Sequence, residues 1–170
     1  MKQTTVLLTI LLLATVAFTA CEKAVFETVS TFNVRLTASS AFAADQLNVE
    51  VKSVEVNYDK SNWKSLSAPG QVYNLLDFRN GNDTLLATGI INATSVVKQM
   101  KITFGTNNSL KLGGKFFPLA TDNNATTITL MVDRKLNRKV ENVTVVIDPA
   151  ASVKQTAEGG FIFVPVATIR

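Results

Sequence analysis

The chain has 170 residues, with 17 Lys and Arg against 13 Asp and Glu, which gives a net charge of +4 at pH 7. It contains no histidine and a single cysteine. Within this chain, these counts exclude Ser-His-Asp and Cys-His catalytic groups, zinc sites built on His and Cys, and any disulfide. Nucleic-acid binding calls for a basic face with interleaved aromatic residues, and no such stretch is present. We therefore expect no cofactor, no metal, no nucleic-acid partner and no catalysis.

The first 20 residues have the three parts of a secretory signal. Lys2 precedes an apolar stretch from Val6 to Phe18, and Thr19-Ala20 supply small residues at the expected cleavage point. The apolar stretch is shorter than the roughly 20 residues that a membrane-spanning helix needs. The sequence therefore predicts a signal peptide over residues 1–20, and the remaining 150 residues (170 less 20) are enough for one domain with its own core.

Cys21 directly follows these small residues, so the segment resembles a bacterial lipoprotein signal with its lipobox. The resemblance implies that the Cys21 thiol carries a diacylglyceryl group and that the new amino group is acylated after cleavage. One acyl chain alone binds marginally and each further buried methylene adds about 0.8 kcal/mol, so this anchor would be permanent. An ordinary secretory signal, with Cys21 incidental, is the alternative. We predict an envelope protein that is lipid-anchored at the outer membrane, on either its periplasmic or its outer side. Residues 21–30 are predicted to be its tether.

Residues 31–170 are predicted to form one β domain. Alternating apolar residues mark strands over 32–36, 47–51 and 54–58, and the change of phase between Val51 and Val54 predicts a β-bulge around Lys52-Ser53. Further strands are predicted over 72–78, 96–104, 110–119, 126–132, 140–147 and 161–169. The alanine-rich residues 38–46 can form a loop or one helical turn.

Turn residues separate these strands. Asn, Asp, Gly and Pro cluster at 80–83, 106–108, 122–124, 148–149 and 158–160, and the pair Gly113-Gly114 also favours a turn. The most basic segment, residues 134–139, is predicted to be a solvated hairpin turn. The abundance of Val, Ile, Thr and Phe favours an all-β sandwich.

Four segments, in this order and spacing, resemble one family of bacterial envelope lipoproteins. They are residues 47–56 with 63–66, residues 72–81 with 85–87, residues 98–102, and residues 145–153 with 160–166. The family carries the uncharacterised domain numbered 4382 among domains of unknown function. The resemblance implies an immunoglobulin-like or prealbumin-like antiparallel β-sandwich, of about seven to nine strands, on a lipid anchor. It implies no activity, because the family has none assigned.

Three polar or aromatic positions are candidates for a site. Asp148 ends a hydrophobic strand and could bind a ligand or cap the turn that follows. Asp77 could pair with Arg79 or Lys101, and a structural ion pair is favoured over catalysis. Trp63, together with Tyr58 and Tyr73, could form a sugar-stacking face, with a place in the core as the alternative.

Other candidates rest on short patterns. Thr84, within Asp83-Thr84-Leu85, resembles an acceptor for bacterial O-glycosylation. The oxygen-rich segments 80–83 and 122–124 could hold calcium, although turn chemistry explains both. Glycoside hydrolysis needs two carboxylates roughly 5–5.5 Å or 6.5–9.5 Å apart, and the spacing of Glu50 and Glu55 does not place them in that geometry.

The sequence as a whole predicts a lipid-anchored, non-catalytic binding or structural module. The expected partners are the membrane, through the anchor, and a glycan or another envelope protein. The alternatives are a cell-surface carbohydrate-binding accessory and a carboxylate-based glycan hydrolase.

Overall fold

The computed structural model describes residues 29–39, 42–58, 62–121 and 127–170. The predicted signal peptide, Cys21 and the segment 122–124 lie outside these residues. The described residues form 13 strands: β1 (Val29–Ala38), β2 (Gln46–Asn57), β3 (Trp63–Ser65), β4 (Val72–Asn74), β5 (Thr84–Asn92), β6 (Val96–Phe104), β7 (Ser109–Leu112), β8 (Lys115–Thr121), β9 (Thr127–Lys135), β10 (Val140–Ile147), β11 (Val153–Gln155), β12 (Phe161–Phe163) and β13 (Ala167–Ile169). A 3₁₀ turn (Leu75–Phe78) and a one-turn helix α1 (Pro149–Ser152) accompany them.

The strands build two sheets. One has four strands in the order β13-β10-β1-β5, and the other has nine, in the order β11-β12-β8-β7-β2-β6-β9 with β3 and β4 also paired to β2. The predicted all-β sandwich is therefore confirmed. Two neighbouring pairs, β1 with β10 and β12 with β8, run parallel, so both sheets are mixed. The strands outnumber the expectation because several span only three residues.

The core lies between the two sheets and follows the alternation of the strands. Phe32, Val34 and Leu36 of β1 point inward and are fully buried, as are Val143 and Val145 of β10. The inner face of β2 meets them with residues 47, 49, 51, 54 and 56, all buried. Burying each such side chain contributes roughly 1.5–3 kcal/mol, so this core is the main source of stability.

The bulge predicted in β2 is confirmed. Val51 pairs with Phe104 and Ser53 with Thr103, so Lys52 is the extra residue and is exposed. Because the bulge shifts the phase by one, Val51 and Val54 both face the core. β2 can in this way remain buried on one side along its 12 residues.

Three predicted strands differ from the structure. Of residues 72–78 only β4 is a strand, since the Asn74 side chain caps Leu76 N at 3.4 Å and the chain turns into the 3₁₀ turn. Residues 110–119 form a hairpin, β7–β8, in which Gly113 and Gly114 both adopt positive φ (55° and 78°). Residues 161–169 divide into β12 and β13, which belong to different sheets. Of residues 38–46, Ala38 ends β1 and Gln46 begins β2, and the described residues between them form a loop.

Two further features differ from the sequence predictions. β5 was not predicted, because its buried residues Leu86, Ala87 and Ile91 do not alternate along the strand. The alternation is interrupted by a register shift, which lies opposite Val34 of β1. The predicted hairpin turn over 134–139 is wrong, since β9 and β10 lie in different sheets. This segment crosses between the sheets, with Leu136 buried (1% exposed) and its N–H donating to Ser95 O at 3.0 Å.

The sandwich has two ends, named here for later use. At the proximal end β1 and β10 begin, β5 and β9 end, and the segments 93–95 and 136–139 join the two sheets. At the distal end β1 and β10 end, β2 begins, and the β7–β8 hairpin turns. Val29 and Ser30, placed in the predicted tether, form the start of β1 at the proximal end, where Ser30 is fully buried.

Candidate functional site

The outer face of the nine-stranded sheet carries a row of large side chains. In the register of the sheet Asn57 lies opposite Trp63 and Gln99, and Gln99 lies opposite Met131, so one row crosses β3, β2, β6 and β9. Directly opposed residues of antiparallel strands project to the same face. Glu55 lies opposite Lys101 in the adjacent row. We call these six residues the tryptophan face: Glu55, Asn57, Trp63, Gln99, Lys101 and Met131.

Trp63 is half-buried on this face and is not part of the core between the sheets. The Lys101 Nζ lies 4.1 Å from the centroid of the indole and 3.7 Å from Glu55 Oε2. Such a cation over an aromatic ring contributes about 0.5–1 kcal/mol at an exposed site. The lysine therefore orients the ring while leaving part of the indole accessible to solvent.

The other end of the row is apolar and open. The Met131 side chain is 61% exposed, and the Gln99 Nε2 lies 3.4 Å from its sulfur. Methionine adapts its shape to what it contacts, and an exposed one on a sheet face suits a binding surface. The tryptophan face thus combines two apolar contacts with amide, ammonium and carboxylate groups between them.

Two open depressions adjoin the strands of this sheet. The first, of about 460 Å³, is lined by Asn57, Tyr58, Thr94, Ser95, Val96, Lys98 and Gln99, and shares two residues with the tryptophan face. The second, of about 410 Å³, lies between β8 and β12 and is lined mainly by small polar and apolar side chains. Hydroxyl and amide groups dominate the polar lining of the first depression, so it can offer hydrogen bonds to a ligand.

The three aromatic residues predicted to act together are separated by the fold. Tyr58 follows Asn57 and lines the first depression, beside the tryptophan face. Tyr73 is buried (3% exposed), packs edge-on against Phe78 at 6.2 Å, and burial raises the pKa of its phenol. Tyr58 continues the inward phase of Val54 and Val56 and packs against the core, whereas Trp63 lies on the outer face and Tyr73 belongs to the core.

Asp148 caps a helix. Its side-chain oxygen accepts the Ala151 N–H at 3.0 Å, and its carbonyl accepts the Ser152 N–H. The buried Ser152 in turn receives the Val166 N–H at 2.9 Å. Of the two readings of Asp148, capping of the following turn is the one that this geometry supports.

Asp77 and Thr84 lie near the distal end. The structure does not show the expected ion pair of Asp77 with Arg79 or Lys101. The Asp77 carboxylate accepts a hydrogen bond from Asn74 Nδ2 at 2.8 Å, whereas Arg79 donates to Leu76 O and Lys101 pairs with Glu55. Thr84 begins β5 and is half-buried opposite Leu36.

The segment 80–83 is a turn whose polar atoms are largely engaged. Asn80 and Gly81 have positive φ (57° and 91°), and the carbonyl of Asn82 accepts the Thr37 hydroxyl at 2.8 Å. The Asp83 carboxylate binds the Arg35 guanidinium, with Nε at 2.8 Å. This bond holds the pKa of Asp83 below its usual range and raises that of Arg35. Among the described residues no group of three or more His, Cys, Asp or Glu is arranged to hold a metal.

Glu50 and Glu55 have separate structural roles. The Glu50 carboxylate lies against Gly105 and accepts the Asn107 N–H at 2.9 Å, whereas Glu55 pairs with Lys101. They lie five positions apart in β2, which at about 3.3 Å per residue, less one residue for the bulge, puts their backbones roughly 13 Å apart. The arrangement does not bring the two carboxylates across one cleft.

The sequence did not single out Gln99, Lys101 or Met131 as members of one site with Trp63. The available signal was the polar phase of the alternation in β2, β6 and β9, whose outward residues must share a face once the strands pair.

No helix in the described parts of the chain is long and apolar enough to cross a membrane.

Comparison with known proteins identifies the family. A search of curated proteins found no significant match, and a search of solved structures found none either. The model of one family, described as a domain of unknown function (DUF4382), matches residues 29–165. This range begins at the first residue of β1 and ends beyond β12, so it takes in every described strand except β13. The chain therefore belongs to the DUF4382 family.

Proposed function

We propose that this chain is an envelope lipoprotein anchored through Cys21, and that its sandwich is a non-catalytic binding module. The observation that carries the binding role is the tryptophan face, where a half-buried indole and an exposed thioether flank amide and charged groups. The anchor rests on the sequence, in which the signal-like residues 1–20 end at the single cysteine. An immunoglobulin-like or prealbumin-like type of sandwich is part of the same proposal.

A binding role accounts for the polar groups better than catalysis does. Asp148 caps α1, Asp83 binds Arg35, and Glu50 and Glu55 are separated along β2. Glycan hydrolysis needs two carboxylates roughly 5–9.5 Å apart across the scissile bond. The proposed module therefore holds a ligand without transforming it.

A glycan is the ligand that the tryptophan face suits best. Sugars present apolar C–H surfaces that stack on an indole, and hydroxyl groups that need hydrogen-bond partners at its edge. Asn57 and Gln99 supply amides next to Trp63 in the same row. The outer membrane remains the proposed location, and we propose that the ligand is met at the cell envelope.

The binding proposal is tested on the mature chain by a glycan array and a pull-down from envelope fractions. We expect Trp63→Ala to lose at least tenfold in affinity for the captured ligand. The matched control is Phe116→Ala, because Phe116 is an exposed aromatic of the same sheet that also lies under a lysine, with Lys111 Nζ 5.2 Å from its ring. Equal loss in both variants, or capture unaffected by Trp63→Ala, would contradict the proposal.

The anchor is tested separately with Cys21→Ser in the full chain. We expect the parent protein to fractionate with membranes at high salt and to carry acyl groups in its mass spectrum. The variant should lack these acyl groups and leave the membrane fraction. A Cys21→Ser protein that still fractionates with membranes under high salt would show that the anchor is wrong.

A further inference from the structure

The proximal end of the sandwich exposes three aliphatic side chains. Val29 is 50% exposed, Ile90 59% and Val140 44%. Ile90 and Val140 both lie opposite Thr31, so they flank β1 on the outer face of the four-stranded sheet, and Val29 is the first residue of β1. These residues form one apolar patch beside the point at which the chain enters the domain.

Exposed basic residues lie at the same end of the sandwich as this patch. They come from β3, β6, the end of β9 and the connection to β10, and they are Lys64, Lys98, Arg134, Lys135, Arg138 and Lys139. The described carboxylates at the same end are Asp133, which pairs with Lys98 at 3.0 Å, Glu55, which lies 3.7 Å from Lys101, and Glu141. Glu141 is 4% exposed and accepts the Asn137 N–H at 3.3 Å. Among the described residues, the accessible charge at the proximal end is therefore positive.

The chain geometry places this end next to the proposed anchor. Seven residues, 22–28, separate Cys21 from Val29. A chain rises by at most about 3.3–3.6 Å per residue, so Val29 can lie no further than roughly 28 Å from the lipidated residue. With the proposed anchor, the tether keeps the proximal end within this distance of the bilayer and sets no such limit on the distal end.

We propose that the proximal end is a membrane-docking surface for the anionic phosphate headgroups of the bilayer that holds the anchor. The basic side chains face the phosphates, and the patch of Val29, Ile90 and Val140 enters the apolar boundary below them. Each Lys or Arg near an anionic surface adds to the attraction, and burial of the three aliphatic side chains adds to this. The inference rests on the Cys21 anchor proposed above, because the anchor keeps the surface within reach.

Docking would fix the orientation of the domain. The proximal end lies against the bilayer, and the distal end, with the β7–β8 hairpin, points away from it. Trp63 lies opposite Asn57, the last residue of β2, so the row of the tryptophan face crosses the sheet close to the proximal end. A ligand bound there would be held beside the membrane surface.

The experiment uses the mature lipidated protein reconstituted in vesicles of phosphatidylglycerol or of phosphatidylcholine. Because the Cys21 thiol is consumed by the lipid, an introduced cysteine can be labelled alone with a polarity-sensitive fluorophore. Ile90→Cys reports on the proximal patch, and Phe116→Cys, 61% exposed in the parent side chain, is the matched distal control. Flotation of the vesicles measures the anchor independently of the fluorescence.

We expect a blue shift at Ile90→Cys in phosphatidylglycerol vesicles, no shift in phosphatidylcholine, and none at Phe116→Cys in either. Combining Arg134→Gln, Lys135→Gln and Arg138→Gln should abolish the shift without changing flotation, whereas Lys111→Gln with Lys115→Gln should leave it intact. Protein that floats without a shift at Ile90→Cys overturns docking and leaves the anchor standing. An equal shift in both lipids overturns the anionic headgroup as the partner. Protein that does not float overturns the anchor, and the docking with it.

Discussion

The two ends of the sandwich use their charged residues in opposite ways. At the distal end the aspartates are tied into local structure: Asp45 receives the Gly114 N–H at 2.8 Å, Asp148 caps α1, and Asp83 binds Arg35. At the proximal end the cations Arg134, Lys135 and Arg138 are exposed, at the same end as an apolar patch. The distal aspartates hold turns in place, whereas these three cations are accessible to solvent.

This difference separates residues that stabilise the fold from residues that are available for binding. A carboxylate that accepts a backbone N–H satisfies a group that the fold would otherwise leave open, so its loss costs stability. An exposed cation without a carboxylate partner contributes little to stability and can be kept for interaction with a partner. Stability measurements at the two ends should therefore diverge.

The largest expected effect concerns Leu136, which lies among the cations of the proximal end and is itself buried. Leu136→Ala should lower the free energy of unfolding by about 2–5 kcal/mol, because it leaves a cavity where β9 passes to β10. Urea denaturation followed by circular dichroism measures this change. Arg138→Ala, two residues away and exposed, is the control and should change stability by less than about 0.5 kcal/mol. Similar losses in both variants would break the proposed division of roles.

A smaller effect is expected at the distal end from Asp148. Asp148→Ala should cost about 0.5–2 kcal/mol, because the Ala151 N–H loses its acceptor at the start of α1. Asp148→Asn keeps an oxygen at the same place and should retain most of the stability. The urea midpoints of both variants are compared with that of the parent protein, and an unchanged midpoint in Asp148→Ala would show that the cap does not matter.

The sequence predicted local features well, because their causes are local. The β-bulge at Lys52 followed from the phase of apolar residues in one strand, and the cap at Asp148 from the chemistry of one turn. The sequence did not predict β5, because the register shift opposite Val34 interrupts the alternation of its apolar residues. The segment 134–139 has the composition of a turn, but composition does not reveal that β9 and β10 belong to different sheets.

The candidate site was less predictable because it depends on strand pairing. The sequence identified Trp63 as a candidate. Its neighbours Gln99 and Met131 lie on β6 and β9, and they share a face with Trp63 only because the strands pair in the order β3-β2-β6-β9. The same holds for the proximal patch, in which Ile90 and Val140 meet across β1. One sequence does not specify such pairings between distant strands.

The Arg35–Asp83 pair predicts a pH dependence at the distal end. Its hydrogen bond lowers the pKa of Asp83 in the folded protein, so the pair adds stability at pH values above the unfolded pKa of about 3.9. That contribution should be lost as the pH falls through the lower, folded pKa. Because both side chains are about a third exposed, it is at most about 1 kcal/mol. Asp83→Asn should lower the urea midpoint at pH 7 and converge with the parent protein in acid, and a constant difference would contradict the ion pair.

The smallest expected effect on stability is at the proposed docking surface. Replacing Arg134, Lys135 and Arg138 together by Gln should change the free energy of unfolding by no more than about 0.5 kcal/mol, because exposed substitutions away from caps and cores have small effects. Removing neighbouring like charges can even stabilise the protein slightly at low salt, and this gain should disappear as salt screens the charges. Urea titrations at low and high salt test both statements. Strong destabilisation of the triple variant would show that these cations stabilise the fold. A loss of membrane docking in that variant would then not be evidence that the cations bind the bilayer.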